Sequence, residues 1–285
     1  MIKKKEKKHI FLKILFVILS LIILFILYSY FIGTKGLIVK EYSISSNIPE
    51  SFDGLKIVHI TDIHYNRTFK EKELENLVKK INLINPDIIV LTGDLLDKKI
   101  NEPNAKEVLS KYLKQMNAKL GKYAVNGNHD LKYDYYYDIL EQSNFINLNN
   151  TYDLIYYKDY EPIIITGISS YFDKMEIKDK LENYKNYIKD NDIKYKILLL
   201  HEPDMVENID ENFDLILAGH SHNGQVKLPL IGSVILPNGA KRYYKEHYTI
   251  NNAELYISSG LGTSNLPLRF MNHPSFNFYR INKKG

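Results

Sequence analysis

Five short apolar runs along this chain each break off at a polar side chain able to bind a metal. Ile57-Val58-His59-Ile60-Thr61 leads into Asp62 and His64, and Ile88-Ile89-Val90-Leu91-Thr92 leads into Gly93-Asp94. Tyr123-Ala124-Val125 runs into Asn126-Gly127-Asn128-His129-Asp130. Ile197-Leu198-Leu199-Leu200 ends at His201, and Leu215-Ile216-Leu217-Ala218 ends at Gly219-His220-Ser221-His222. Such runs, bounded by turn signals, predict buried strands. Between them the apolar period lengthens. Leu74, Leu77, Val78, Ile81 and Ile84 share one face of a helix over about 70–84, closed by Asn85-Pro86. A second helix starts near Pro103, a residue suited to the first helical position, and turns Val108, Leu109, Tyr112, Leu113 and Met116 inward. A third covers Tyr133–Gln142, and a fourth covers Met175–Ile188 with Ile177, Leu181, Tyr184 and Ile188 buried.

Strands at 55–61, 87–92 and 122–125 therefore alternate with helices, and a βαβαβ succession of this kind makes a parallel sheet. Short strands fill 145–166, with turns at Asn149-Asn150 and Glu161-Pro162, and strands follow at 195–200 and 214–218. Beyond Gly224 the pattern is strands and turns, ending in a strand at 276–281. Residues 37–54, with Asn47, Pro49 and Gly54 as breakers, read as a linker. Nothing after residue 37 marks a second domain, so the division is 1–36 and 37–285.

The first of those parts is of a different kind. Ile14 to Gly33 is 20 residues without a charge, enough to cross roughly 30 Å of hydrocarbon as a helix. Tyr28, Tyr30 and Phe31 at its far end suit the aromatic belt. The exit Tyr30-Phe31-Ile32-Gly33-Thr34-Lys35 has no small-x-small cleavage site, so the segment reads as an uncleaved anchor. Lys3, Lys4, Lys5, Lys7, Lys8 and Lys13 precede it. The positive-inside rule then puts the N-terminus in the cytoplasm and everything after residue 36 outside it.

Charge and composition remove several alternatives. The net charge is +4, and six lysines against Glu6 give residues 1–13 a charge of +5, which leaves −1 for the rest. A near-neutral body has no footprint for a polyanion, which disfavours nucleic acid as a partner. The chain has no cysteine, which excludes disulfides, thiolate metal sites and a Cys nucleophile.

In open α/β sheets, ligands bind beyond the carboxyl ends of the strands. Asp62, His64, Asp94, Asn128, His201, His220 and His222 all stand at such ends and can converge on one crevice. Seven oxygen and nitrogen ligands exceed the needs of one ion. A pair of divalent cations about 3.5–4 Å apart, bridged by one carboxylate, accounts for the number and suits displacement at phosphorus. Imidazole and carboxylate ligands favour Mn, Fe or Zn. Four other histidines read as bystanders: His9 in the basic flank, His59 inside a strand, and His247 and His273 on the surface.

Asp62-Ile63-His64, Gly93-Asp94, Gly127-Asn128-His129-Asp130, His201 and Gly219-His220-Ser221-His222 resemble the ordered motif set of calcineurin-like metallophosphoesterases, across about 56–223. The resemblance implies a four-layer α/β/β/α sandwich of two mixed sheets, here preceded by one transmembrane helix. It assigns Asp62, His64 and His222 to a first metal, and Asn128, His201 and His220 to a second, with Asp94 bridging. His129 becomes the non-ligand acid that protonates the leaving group, and Asp130 the residue that orients it. The implied reaction is attack on a phosphoester or pyrophosphate by a hydroxide that the two metals activate.

His220–Pro229 and Gly260–Phe270 further resemble a branch with one N-terminal anchor, some of whose members cleave nucleotide-diphospho-lipids such as UDP-2,3-diacylglucosamine. Asn223 replaces that branch's usual Gly, and Met271-Asn-His-Pro-Ser-Phe276 replaces its usual ending, so substrate specificity does not carry over. A phosphorylated small molecule or a lipid-linked phosphate is the expected substrate. Arg269 is the expected extra phosphate contact, its planar fork matching phosphate oxygens, with a structural ion pair as the alternative. The Tyr133-to-Tyr137 cluster reads as a groove lining or an ordinary helix face, and Gly260-Leu-Gly262 as a phosphate cradle or a turn. Two other functions fit the same residues less well: a non-catalytic metal-binding scaffold at the membrane, which would not need His129, and a nuclease, which the charge disfavours.

Overall fold

The computed structural model describes residues 2–66, 68–100 and 104–285, with side chains from Glu6 onward. The predicted start of the second helix at Pro103 lies outside the described residues. In chain order, α1 (Ile2–Phe31), β1 (Ile38–Ser46), β2 (Leu55–Ile60), α2 (Glu71–Ile84) and β3 (Ile88–Thr92) come first. Then follow α3 (Ala105–Lys114), β4 (Gly121–Val125), α4 (Tyr136–Gln142), β5 (Ile146–Asn147), β6 (Thr151–Ile155) and β7 (Ile163–Gly167). After α5 (Ile177–Lys180) and α6 (Glu182–Ile188) come β8 (Lys196–Leu199), β9 (Leu215–Ala218), β10 (Lys227–Leu228) and β11 (Gly232–Ser233). The chain closes with β12 (His247–Ile250), β13 (Ala253–Ile257) and β14 (Ser275–Lys283).

The strands form two six-stranded mixed sheets, in the orders β1-β14-β2-β3-β4-β5 and β12-β13-β9-β8-β7-β6, plus the β10–β11 hairpin. The runs β2-β3-β4-β5 and β13-β9-β8-β7 are parallel. Antiparallel pairing enters at β14–β2, β12–β13 and β6–β7. Side chains alternate between the two faces of each strand, and this assigns the layers. Ile57, Ile88, Val90, Tyr123 and Val125 point between the sheets and meet Ile165, Ile197, Leu199 and Leu217. Their neighbours Val58, Ile89, Leu91 and Ala124 point outward onto Leu74, Leu77, Ile81, Leu109 and Leu113 of α2 and α3. On the far side Ile164, Leu198 and Ile216 pack under Leu181 and Tyr184. This is the α/β/β/α sandwich expected from the resemblance.

Three local expectations are corrected. Residues 38–46 are an edge strand rather than a linker: β1 pairs in parallel with β14 over its whole length. Only Ile44 in it is buried, so no apolar run announces it. The predicted helix 175–188 is two short helices, broken where Leu181 leaves helical geometry (φ −102°, ψ 4°). The third helix begins at Tyr136, after a separate 3-10 turn at Asp130–Lys132.

The helix α1 holds the Glu6–Phe31 stretch, long and apolar enough to cross a membrane, with none of that apolar window buried in the protein. Only its far end docks. Phe25 and Tyr28 pack on Phe270, with ring centroids 4.8 and 5.7 Å apart. The Arg269 amide donates to the Ser29 carbonyl at 3.0 Å.

Candidate metal centre

The parallel strands β2, β3, β4, β8 and β9 all deliver their carboxyl ends to one crevice, as doubly wound sheets do. There the chain turns sharply. Asp62 (φ 50°), His64 (φ 41°), Asp94 (φ 50°), His220 (φ 64°) and His222 (φ 47°) all occupy the left-handed region. That conformation costs a non-glycine residue on the order of 1–3 kcal/mol and persists where surrounding structure enforces it. Gly127 is required for a different reason. A Cβ on it would lie 2.3 Å from Asp94 Oδ1 and 2.5 Å from the Asp94 amide.

The Asp94 carboxylate is central. Its Oδ1 accepts the His129 backbone amide at 2.8 Å. Its Oδ2 faces His201 Nε2 at 3.3 Å, His64 Nε2 at 3.5 Å and His129 Nε2 at 3.9 Å. On one side, Asp62 Oδ1 lies 3.4 Å from His222 Nε2 and 3.7 Å from His64 Nε2. On the other, His220 Nδ1 lies 3.2 Å from His201 Nε2. Asp62, His64 and His222 form one set able to hold an ion, and Asp94, His201 and His220 form another. His64, Asp94 and His129 also meet the same spacing. Asn128 lines the same cavity as Asp94 and His220.

For His201 and His220 the outer ring nitrogen meets a backbone carbonyl, which fixes which nitrogen faces inward. His201 Nδ1 sits 2.7 Å from the Thr92 carbonyl, and His220 Nε2 sits 2.8 Å from the Asn238 carbonyl. His64 Nδ1 faces Asp97 Oδ1 at 3.7 Å. Metal-binding histidines are commonly held this way. The inward atoms form an arrangement that calls for cations. His64 Nε2 and His222 Nε2 are 3.1 Å apart, close enough to share a proton or an ion. Asp62 Oδ1 and Asn128 Oδ1 are buried without a hydrogen-bond partner. Buried polar atoms in that state cost about 1–3 kcal/mol each unless a ligand satisfies them. The residues present therefore fit a pair of divalent metals.

The charges agree. Burial alone would raise the Asp62 and Asp94 carboxyls, but neighbouring histidines outweigh it and hold both below the usual range. Burial would lower His64, yet Asp62, Asp97 and Asp94 carry it up to about 9. Burial lowers His222, and the cations of His64 and Arg269 push it the same way, which keeps it in the neutral form a metal ligand needs.

Two expected roles change. Asp130 does not aim the His129 ring. Its Oδ1 accepts the Leu96 amide at 3.0 Å and its Oδ2 the Gly127 amide at 2.9 Å, so it braces the turn itself. Burial next to the Asp94 charge raises its carboxyl to about 7. The carboxylate facing His129 Nδ1 is Asp97, at 3.7 Å. Sequence reasoning missed it, although a second aspartate three residues beyond Asp94, in Asp94-Leu-Leu-Asp97, was the available signal.

Arg269 is likewise no phosphate contact. It is fully buried, and its guanidinium donates to the carbonyls of Gly262 (3.0 Å from Nε and 2.6 Å from Nη2), Ser259 (2.9 Å), Gly260 (3.0 Å) and Asn272 (3.2 Å). Its Nη2 also stands 3.3 Å from His222 Nδ1. It is a strut under the metal centre. The Gly260–Gly262 turn is not a cradle either, since the Leu261 and Gly262 amides both donate to the Asp62 carbonyl, at 3.1 and 2.7 Å. Tyr136 is buried and donates to the Val125 carbonyl, so the tyrosine cluster includes a core anchor. His59 is buried against Thr92 and Tyr279, away from the crevice.

A cavity of about 480 Å³ opens over the centre. Asp94, Asn128, His129, His220 and His222 form its floor, and Lys98 and Lys132 lie on its wall. Much of the rest is apolar, including Phe172, Val234, Ile235, Leu266 and, from α1, Phe25.

The profile of the family described as calcineurin-like phosphoesterase matches residues 55–224. An uncharacterised metallophosphoesterase of Bacillus subtilis is 32% identical over 246 residues, covering 85% of this chain and 84% of that one. A Danio rerio transmembrane protein with a metallophosphoesterase domain is 25% identical over 239 residues, covering 78% of this chain and 52% of the other. Among solved structures, a dimetal phosphatase from Danio rerio superposes with a TM-score of 0.48 at 12% identity, covering 81% of this chain and 93% of that one.

Proposed function

The chain belongs to the calcineurin-like phosphoesterase family, and from that premise we propose that it is a membrane-anchored hydrolase of phosphoester or pyrophosphate bonds with a dinuclear metal centre. The observation that carries this reading is the Asp94 carboxylate, reached by histidines from both ligand sets. Asp62, His64 and His222 would hold one ion and Asn128, His201 and His220 the other, with Asp94 shared. When bound, two such cations supply Lewis-acid neutralisation of the phosphoryl oxygens and a lowered pKa for water.

The chain's own residues do the rest. Lys98 and Lys132 draw an anionic group toward the floor of the cavity. His129 stands at that floor with Asp97 behind its Nδ1, placed to give a proton to the leaving oxygen. Burial of the histidines beneath the cavity floor excludes bulk water and strengthens each electrostatic contact. The helix α1, with the lysines before it, anchors the domain on the outer side of the membrane.

The test uses the full-length protein in detergent with Mn²⁺ and a chromogenic phosphodiester. Hydrolysis is expected, abolished by chelation. His129→Ala should retain its metal content and lose roughly 10²- to 10⁴-fold in turnover. A fully metal-loaded protein without hydrolysis would favour the scaffold reading, and an unchanged His129→Ala would remove that residue's assigned role.

A further inference from the structure

The segment Leu228-Pro-Leu-Ile-Gly-Ser-Val-Ile-Leu-Pro237 carries no charge and projects from the body as the β10–β11 hairpin. Leu230 at its tip is fully exposed, and Ile231, Val234 and Ile235 are more than half exposed. Leu266 and Met271, in the loop next to it, are exposed as well. An apolar surface of this kind on a protein in water is a liability and marks a contact.

What covers it follows from what holds it. Val226 bridges to Phe270, the Lys227 amide donates to the Phe270 carbonyl at 3.0 Å, and the Phe270 amide donates to the Gln225 carbonyl at 3.2 Å. Phe270 in turn packs on Phe25 and Tyr28, and Arg269 bonds to Ser29. The hairpin is therefore tied, through one residue pair, to the side of α1. Height can be read from the same contacts. Phe25 lies six residues before Phe31, where α1 ends at the aromatic belt, or about 9 Å along a helix rising 1.5 Å per residue. A residue at that depth lies inside the hydrocarbon layer, yet Phe25 lines the cavity.

We propose that the occupant of this surface is the lipid bilayer: Leu230 and Ile231 insert beside α1, and the cavity mouth opens onto the membrane rather than onto water. A phosphorylated amphiphile would then reach the buried histidines without leaving the bilayer. The inference rests on the proposed anchoring of α1.

The chain has no tryptophan, so each introduced one is a unique reporter. Full-length Leu230→Trp, Val17→Trp and Tyr160→Trp proteins are reconstituted in vesicles of phosphatidylcholine brominated on its acyl chains. Val17 lies midway along the apolar stretch, and Tyr160, almost fully exposed, precedes β7 at the end of the sheets away from the crevice. Leu230→Trp should be quenched to at least half the extent of Val17→Trp, with Tyr160→Trp unquenched. Quenching at 230 no greater than at 160, with 17 strongly quenched, would overturn the inference while sparing the anchor. A Val17→Trp protein that is not quenched would overturn the anchoring and the inference together.

Discussion

Replacing Arg269 by Met removes the guanidinium but keeps most of the aliphatic stem, so the cavity left behind is small. What is lost is donation to four buried carbonyls, those of Ser259, Gly260, Gly262 and Asn272. Hydrogen bonds from a charged donor contribute roughly 1.5–3 kcal/mol each, or about 6–12 kcal/mol gross. Against this, burial lowers the Arg269 guanidinium to about 10, so relieving the buried charge returns about 3 kcal/mol at roughly 1.4 kcal/mol per pKa unit. The net cost is on the order of 3–9 kcal/mol, comparable to the whole stability of a typical domain. At about 2–4 °C per kcal/mol for a domain of this size, Tm should fall by at least about 6 °C. Arg269→Lys should recover little, because three donors at one point cannot span four carbonyls. The assay is thermal unfolding of the full chain in detergent, paired with turnover of a phosphodiester well below Tm. A Tm within about 2 °C of the parent together with a tenfold rise in KM would refute the strut and restore the phosphate contact that the sequence suggested.

Three further outcomes are expected. Asp94→Asn should lose both metals together, read by metal analysis after gel filtration; retention of the full complement would argue against a shared ligand. Asp97→Asn should lower kcat or metal affinity by about 10- to 100-fold with little change in KM at saturating Mn²⁺. Unchanged kcat and metal affinity would reduce Asp97 to a packing residue. In the chelated protein, His64 raised to about 9 and His201 raised well above its ordinary value stabilise the fold fully below about pH 6.5, and that stability is lost as pH rises through their folded values. The depressed Asp62, Asp94 and Asp97 act in the opposite sense, stabilising above about pH 4 and losing that contribution in acid. Tm of the chelated protein should therefore fall between pH 6.5 and 9, and Mn²⁺ should flatten the fall. A rise over that range without metal would contradict the sign.

The strands that end in ligand-type side chains were legible in the chain alone, because a buried parallel strand needs a continuous apolar run and such a run is visible locally. The apolar helix α1 was legible for the same reason. Asp62, His64, Asp94, His201, His220 and His222, which the fold brings into groups able to hold an ion, announce themselves by residue type and by position after a strand. The sequence did not determine β1, whose residues are half exposed and which exists only because β14 returns from the far end of the chain to pair with it.

The contacts of neighbours that look alike in sequence became visible in the fold alone. Asp130 is adjacent to His129 along the chain but turns its carboxylate to backbone amides, while Asp97, more than thirty residues earlier, comes to face the ring. Arg269 could have met a phosphate or a carboxylate, and folding gave it four carbonyls instead. Strand composition is a local property, whereas the partner of a polar atom depends on which distant segment closes over it.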